Sequence, residues 1–369
     1  MRPRIPRRAP DDMETGRKRT VLWWGRFDPD YSRNRIQRAL LQDLGWQVSN
    51  FHPFFSGLGN EEAWVRRIAA PDLVWVPCFR QRDIAAASRW AMRRGVPVLF
   101  DPLISAYDKQ VDERGKLAPG SPQASKLLAR ERDQFARADL VLADTPAHAA
   151  YFFETLGVKQ ERLAVVYVGA EEALFQPTPL REAAGDAPLD VLFYGSFIPL
   201  QGAEVVIEAA RVYAGPSVRW TLLGQGPLRK RCEEKARGLD NVVFEDWMPY
   251  EQLAARIARA DILLGVFGTT QKAARVIPNK VYQALASGRA IVTQPTEAYP
   301  ESLRMQGDSG LVWSPAGDPQ ALAGHVAALA ANRDRLRQLS EAAAATSARY
   351  FSGAAIRNQL AAALEKLPV

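Results

Sequence analysis

The chain has 369 residues, 47% of them hydrophobic and 24% charged, with a formal charge of +7 and two cysteines, Cys78 and Cys232. That length calls for two domains rather than one core, and the composition is that of a soluble globular protein. Two distant cysteines exclude a disulfide framework and suit a reducing cytoplasm, no run of about 18–20 apolar residues is present to span a membrane, and residues 1–20 lack the apolar core of a signal peptide.

Residues 1–20 hold seven Lys/Arg against three acids, so four of the seven net positive charges sit there. Residues 1–19 read as a disordered basic tail, either simply solvated or weakly attached to the anionic inner face of a membrane. Val21–Trp24 then predicts a buried strand and Gly25–Tyr31 a loop, with Ser32 as N-cap of a helix Arg33–Leu44 that stops at Gly45. Strands follow at Gln47–Phe51, Leu73–Pro77, Val96–Phe100 and Leu140–Ala143, with helices such as Asp83–Arg94 and Lys126–Ala136 between them. From Phe175 the composition turns to Pro, Ala and Gly, which places a linker at 179–188. The alternation restarts with strands at Val191–Tyr194, Trp220–Leu223, Val242–Glu245, Ile262–Val266 and Ala290–Thr293, separated by helices at Ala203–Tyr213, Leu228–Arg237, Tyr250–Arg259 and Asn279–Ser287. After a break at Ser352-Gly353, Ala354–Lys366 is again helical. Strand–helix alternation of this kind makes parallel sheets covered on both faces. The chain therefore divides into an N-terminal Rossmann-like domain (20–178), the linker, a C-terminal Rossmann-like domain (189–352) and a closing helix (353–369). Ligands of such sheets sit beyond the carboxyl ends of the strands.

Three segments of the second half carry the strongest chemistry. Gly195 to Gly202, with Ser196 and Gln201 between, is a glycine turn from strand to helix, and Gly224 and Gly226 form a second such turn. The run Val276–Gly288 puts Pro278 and Asn279 at the start of a helix, whose free N–H groups and dipole favour an anion. Lys280 in its first turn adds a full positive charge, and Gln283 lies on the same face, within reach of a sugar hydroxyl pair. An ordinary surface helix is the plain alternative. Trp247 suits either a nucleotide base or the core. His52, His148 and His325 have no spacing that suits a metal, so no metal site is expected.

With those residues in view, the chain resembles the family 4-like GT-B glycosyltransferases. The likeness is carried by residues 192–210, 220–234, 241–264, 276–293 and 300–330 in the second half, and by 138–152 and 165–177 in the first. It implies a GT-B fold of two Rossmann-like domains facing a central cleft. It also implies a retaining, metal-independent transferase with no obligatory cofactor, which takes a nucleoside diphosphate sugar as donor and a saccharide, lipid-linked or small-molecule acceptor. The departing diphosphate would be stabilised electrostatically. Three other readings are weighed beside it: a non-catalytic sugar-nucleotide-binding protein, a sugar-nucleotide epimerase, and a DNA glycosyltransferase suggested only by the net positive charge, nucleic acid being otherwise disfavoured.

The departures from the family matter as much. Ser196 and Gln201 stand where relatives carry two basic residues, and Arg275 and Gln283 stand where they carry the two glutamates of an E-x7-E motif. The expectation that joins these is a diphosphate clamp of Lys272, Arg275 and Lys280. In the first half Asp101 takes the place of a histidine that faces the transferred sugar, with Asp108 and Tyr107 as secondary candidates. Asp28, Arg33 and Arg35, in the loop after the first strand, fall on the acceptor side.

Overall fold

The computed structural model describes residues 17–182 and 187–368. The chain divides into two compact units, one of residues 1–168 with 356–369 and one of residues 169–355.

Unit 1 runs β1 (Thr20–Trp24), α1 (Ser32–Asp43), β2 (Gln47–Phe51), α2 (Gly59–Val65), β3 (Leu73–Val76), α3 (Ile84–Met92), β4 (Val98–Phe100), α4 (Pro122–Ala136), β5 (Leu140–Ala143), α5 (Pro146–Glu154) and β6 (Leu163–Val165). Its six strands are all parallel, in the order β2-β1-β3-β4-β5-β6. Strands β3, β4 and β5 are wholly apolar because helices cover both faces, and all three are buried at every residue. Unit 2 runs β7 (Leu189–Tyr194), α6 (Ala203–Val212), β8 (Val218–Leu223), α7 (Arg229–Lys235), β9 (Val242–Glu245), α8 (Tyr250–Arg259), β10 (Ile262–Leu264), α9 (Asn279–Ala286), β11 (Ile291–Thr293), α10 (Glu301–Arg304), β12 (Leu311–Trp313), α11 (Pro319–Ala331) and α12 (Arg333–Thr346). Its strands are also all parallel, in the order β12-β11-β10-β7-β8-β9. A last helix, α13 (Gly353–Leu364), enters unit 1 from Ile356 onward. There Gln359 accepts the Tyr167 N–H at 3.1 Å, and Lys366 donates to the Leu163 carbonyl at 2.6 Å.

Each sheet reverses its winding once. Strand β1 lies between β2 and β3, and β7 lies between β10 and β8. In doubly wound sheets the crevice at the carboxyl ends of the two strands beside that reversal is the ligand position. In unit 2 this picks out the segments after β7 and β10; in unit 1, those after β1 and β3.

Several sequence expectations need correction. Ser32 is not the cap of α1 but its first residue; the cap is Tyr31, which makes no side-chain cap bond. Strands β6 and β12, three residues each, were not anticipated. The unit boundary at 168/169 falls ahead of the expected 178. Residues 169–178 are held on unit 2 by Phe175 packed edge-on to Tyr250 and by Arg289, which donates to the Thr178 carbonyl at 2.5 Å. Residues 1–16 of the expected tail and 183–186 of the expected linker lie outside the described residues. Arg17 and Arg19, by contrast, are fixed: Arg17 pairs with Asp72 at 3.1 Å, and the Arg19 carbonyl accepts the Gln47 N–H.

Candidate functional site

In unit 2 the two glycine turns lie against each other. Gly224 has φ +128°, and a Cβ there would stand 2.1 Å from the Gly195 carbonyl oxygen. No L side chain is accommodated at that distance, so the turn after β8 packs backbone to backbone on the turn after β7. Gly202 closes the first turn in a left-handed conformation, φ +70°, and caps α6. A Cβ there would meet Phe267 and Gly268 backbone within 2.7 Å. The first turn is thereby locked to the segment after β10, on the other side of the reversal. Leu200, Ala273 and Val266 form a small core that joins the same two segments. Arg229, at the start of α7, clamps the second turn by donating to the Gly224 carbonyl at 2.5 Å and to the Glu245 carbonyl at 2.9 Å.

Helix α9 enters this arrangement from its N-terminal end. Pro278 is its cap residue rather than its first helical residue, and Asn279 opens the helix. Lys280 is not the exposed cation expected of a first-turn lysine. It is buried, with Nζ 3.8 Å from the Phe193 ring centroid and donating to Gln201 Oε1 at 2.9 Å. Burial pushes its ammonium well below the usual lysine range. The site thus holds a lysine on α9 that reaches into the first glycine turn, beside the turn position where a glutamine replaces a base.

The other expected residues each have partners of their own. Gln283 is buried too, and both ends of its amide are engaged. Oε1 accepts from Tyr194 Oη at 2.8 Å, and Nε2 donates to Tyr250 Oη at 3.2 Å. The expectation of a Gln283 free to meet sugar hydroxyls is therefore corrected to a glutamine held between two tyrosines. Lys272 is buried on the turn Gln271–Ala274, and Arg275 follows it. The Arg275 guanidinium turns back to donate to Gln271 at 2.9 Å. Ser196 is exposed at the lip of the first turn. Trp247 is 60% exposed, which settles it against the core. Its loop is tied to the second turn by Gln225 donating to Asp246 at 2.8 Å.

In unit 1 the acceptor-side candidates are mostly interior. Arg33 and Asp101 are both fully buried and form one ion pair. Nε lies 2.9 Å from both carboxylate oxygens, Nη2 lies 2.8 Å from one, and Nη1 donates to the Val166 carbonyl at 3.0 Å. Burial opposes the Arg33 charge, but Asp101 holds it above the usual range. Burial raises the Asp101 carboxyl, with Arg33 opposing. The expectations of an open catalytic Asp101 and of Arg33 waiting at a helix start are thus corrected: each is the other's partner. Asp108 is buried as well, its backbone N–H donating to Ser105 Oγ at 3.1 Å. Tyr107 donates its N–H to Glu131 at 2.8 Å. Asp28 is exposed and shapes its loop by accepting the Asp30 N–H at 2.9 Å. Arg35 is half-buried.

One constellation escaped the sequence reading. His148 on α5 is buried with Nδ1 bonded to Asp144 Oδ1, while Nε2 faces Asp108 Oδ2 at 3.9 Å. Burial works against its protonation, but the two carboxylates outweigh that and raise it to about 9. The signal was present as Asp144 and His148 four residues apart, around Thr145, which caps α5 by accepting the His148 N–H. Asp144 follows β5, so this cluster and the Arg33–Asp101 pair share the carboxyl end of the unit 1 sheet.

Residues 6–169 match the model of the glycosyl transferase 4-like domain, and residues 188–332 match that of glycosyl transferases group 1. Between them they take in most of the chain. Among curated relatives, D-inositol 3-phosphate glycosyltransferase of Acidothermus cellulolyticus is 29% identical over 188 residues, 46% of this chain and 40% of that protein. The match thus spans well under two thirds of the relative's length. Among solved structures, Anabaena HepE in complex with UDP superposes with TM-score 0.70 at 18% identity, covering 95% of this chain and 100% of that one. Sucrose-phosphate synthase of Thermosynechococcus elongatus gives 0.67 at 18% identity, covering 95% and 99%. Likeness at that identity establishes the GT-B fold.

Proposed function

The chain belongs to the 4-like, group 1 glycosyltransferases of GT-B fold, and from that premise we propose that it moves a sugar from a nucleoside diphosphate sugar to a saccharide, lipid-linked or small-molecule acceptor, with retention and without an obligatory metal. The observation that carries this reading is the Lys280–Gln201 contact between the start of α9 and the first glycine turn. A diphosphate seated there meets backbone N–H groups of a helix start and a lysine ammonium together. The burial against Phe193 that disfavours the charge of Lys280 in the free protein makes the ammonium's attraction for an arriving phosphate the stronger, since a buried charge is little screened. The developing charge on the leaving diphosphate is then neutralised by groups already in place. A uridine donor is favoured because the HepE structures are complexes with UDP and UDP-glucose. Exposed Trp247, tied to the second turn, is the side chain suited to a base.

Thermal unfolding in the presence of UDP-, GDP-, ADP- and dTDP-sugars tests donor binding, because a ligand of the folded state raises Tm by mass action. A UDP-sugar is expected to stabilise the protein, and Lys280→Met to weaken that binding by about tenfold or more, roughly 1.4 kcal/mol. Arg275→Ala is expected to weaken it less, since its guanidinium is held at Gln271. No stabilisation by any nucleotide sugar would remove the proposal. Binding with neither transfer nor donor hydrolysis would leave the non-catalytic reading in its place.

A further inference from the structure

The segment between β2 and β3 is built inside out. Helix α2 turns Gly59, Asn60 and Ala63 inward, while Leu58, Trp64 and Val65 face solvent. Phe54 and Phe55 of the preceding loop join them, and all five side chains are 59–74% exposed. A surface helix ordinarily shows the opposite pattern. Scattered exposed apolar residues need no explanation, but five large ones within twelve residues form a patch that does.

The patch is held in place. The Phe54 N–H donates to Glu62 at 2.7 Å, and Glu62 pairs with Arg66 at 3.1 Å. From α3, Arg89 donates to the Gly57 carbonyl at 3.0 Å and to Asn60 at 2.9 Å. Arg80 reaches Ser56 at 3.3 Å. The surroundings are basic: residues 51–95 carry seven arginines and no lysine against four acids, a net of +3. One of those acids, Asp72, is committed to Arg17 and Thr20.

We propose that this face docks on an anionic lipid bilayer, with Phe54, Phe55, Leu58, Trp64 and Val65 entering the headgroup boundary and the flanking arginines meeting lipid phosphates. The chemistry favours that occupant over a protein. Aromatic and aliphatic tips beside guanidinium groups are the composition of interfacial segments, in which the apolar part sinks and the charged heads stay at phosphate depth. The sugar-nucleotide residues lie in the other unit, so the inference stands apart from the transfer reaction.

The test is co-sedimentation of the full chain with vesicles of phosphatidylcholine containing about a third phosphatidylglycerol, and with pure phosphatidylcholine vesicles. Binding is expected to the anionic vesicles, weaker to the neutral ones, and reduced by salt. Phe55→Ser with Trp64→Ser should lower partitioning at least about tenfold while UDP binding, read separately, is unchanged. A brominated lipid should quench part of the tryptophan fluorescence, and the conservative Trp64→Phe should remove that part while the protein still binds. Deletion of residues 1–16 should leave this Trp64 quenching in place. The proposal is overturned if anionic vesicles are not bound, if the double variant binds them as the parent does, or if the same substitutions instead abolish self-association in solution.

Discussion

Asp101→Ala is expected to destabilise unit 1 by about 3–5 kcal/mol, because removing one partner of a buried pair leaves the other as an uncompensated charge in the interior. Arg33 is fully buried and directs its guanidinium to Asp101 through Nε and Nη2. It cannot shed its proton to escape, since arginine stays charged under all ordinary conditions. Its remaining bond, to the Val166 carbonyl, satisfies one donor but supplies no countercharge. Asp101→Asn keeps the shape and one acceptor and should cost less. Replacing both partners together, as Arg33→Met with Asp101→Leu, should recover most of the loss, because well-packed apolar groups are often neutral substitutes for a buried ion pair. The unfolding of unit 1 is followed through its buried tryptophans Trp23, Trp24, Trp75 and Trp90. A loss below about 1 kcal/mol for Asp101→Ala would mean the pair is as weakly coupled as a surface one. The double variant also separates the two roles of Asp101. If it is stable and still transfers sugar, Asp101 is a structural residue; if it is stable and inactive, the carboxylate acts on substrate.

That ambiguity shows which part of this molecule its sequence makes legible. The parallel sheets were readable because each buried strand is a short apolar run between amphipathic helices, a pattern written within ten or fifteen residues. The glycine turns were readable for a related reason: Gly202 and Gly224 are required where backbone meets backbone, and no other residue fits. Partnerships across the sheet were not readable. Arg33 and Asp101 are 68 positions apart, and nothing local distinguishes a buried arginine from one at a solvated helix start. Lys280 failed in the same way. A lysine in a first turn looks like a surface cation until Phe193, from strand β7, is placed under its ammonium. Gln283 was read with a free amide because the tyrosines that hold it come from β7 and α8. Position along the chain sets the element; the burial of a charge depends on elements that arrive from elsewhere.

The second large effect comes from His148. Its folded value of about 9 lies above the ordinary 6.5, so the folded protein holds the proton more tightly than the unfolded chain does. Stability from this source is fully present below about pH 6.5 and is lost as pH rises to about 9, a fall of about 3 kcal/mol by linkage. The proton is held by Asp144 on Nδ1 and by Asp108 opposite Nε2, with Phe152 stacked on the ring and no water-facing side to screen the charges. Lys280 works in the opposite sense. Burial depresses its ammonium, so the unfolded chain binds that proton more tightly, and stability rises with pH in the alkaline range. A profile of the parent protein alone would therefore sum two opposed slopes from two units. The quantity that isolates His148 is the difference between parent and His148→Asn, measured by denaturant unfolding from pH 6 to 9.5. Lys280 is common to both proteins and cancels. The stability advantage of the parent should shrink by about 3 kcal/mol across that range. An advantage independent of pH would mean that His148 is neutral in the folded protein, with Asp144 accepting an N–H from an uncharged ring rather than holding a cation.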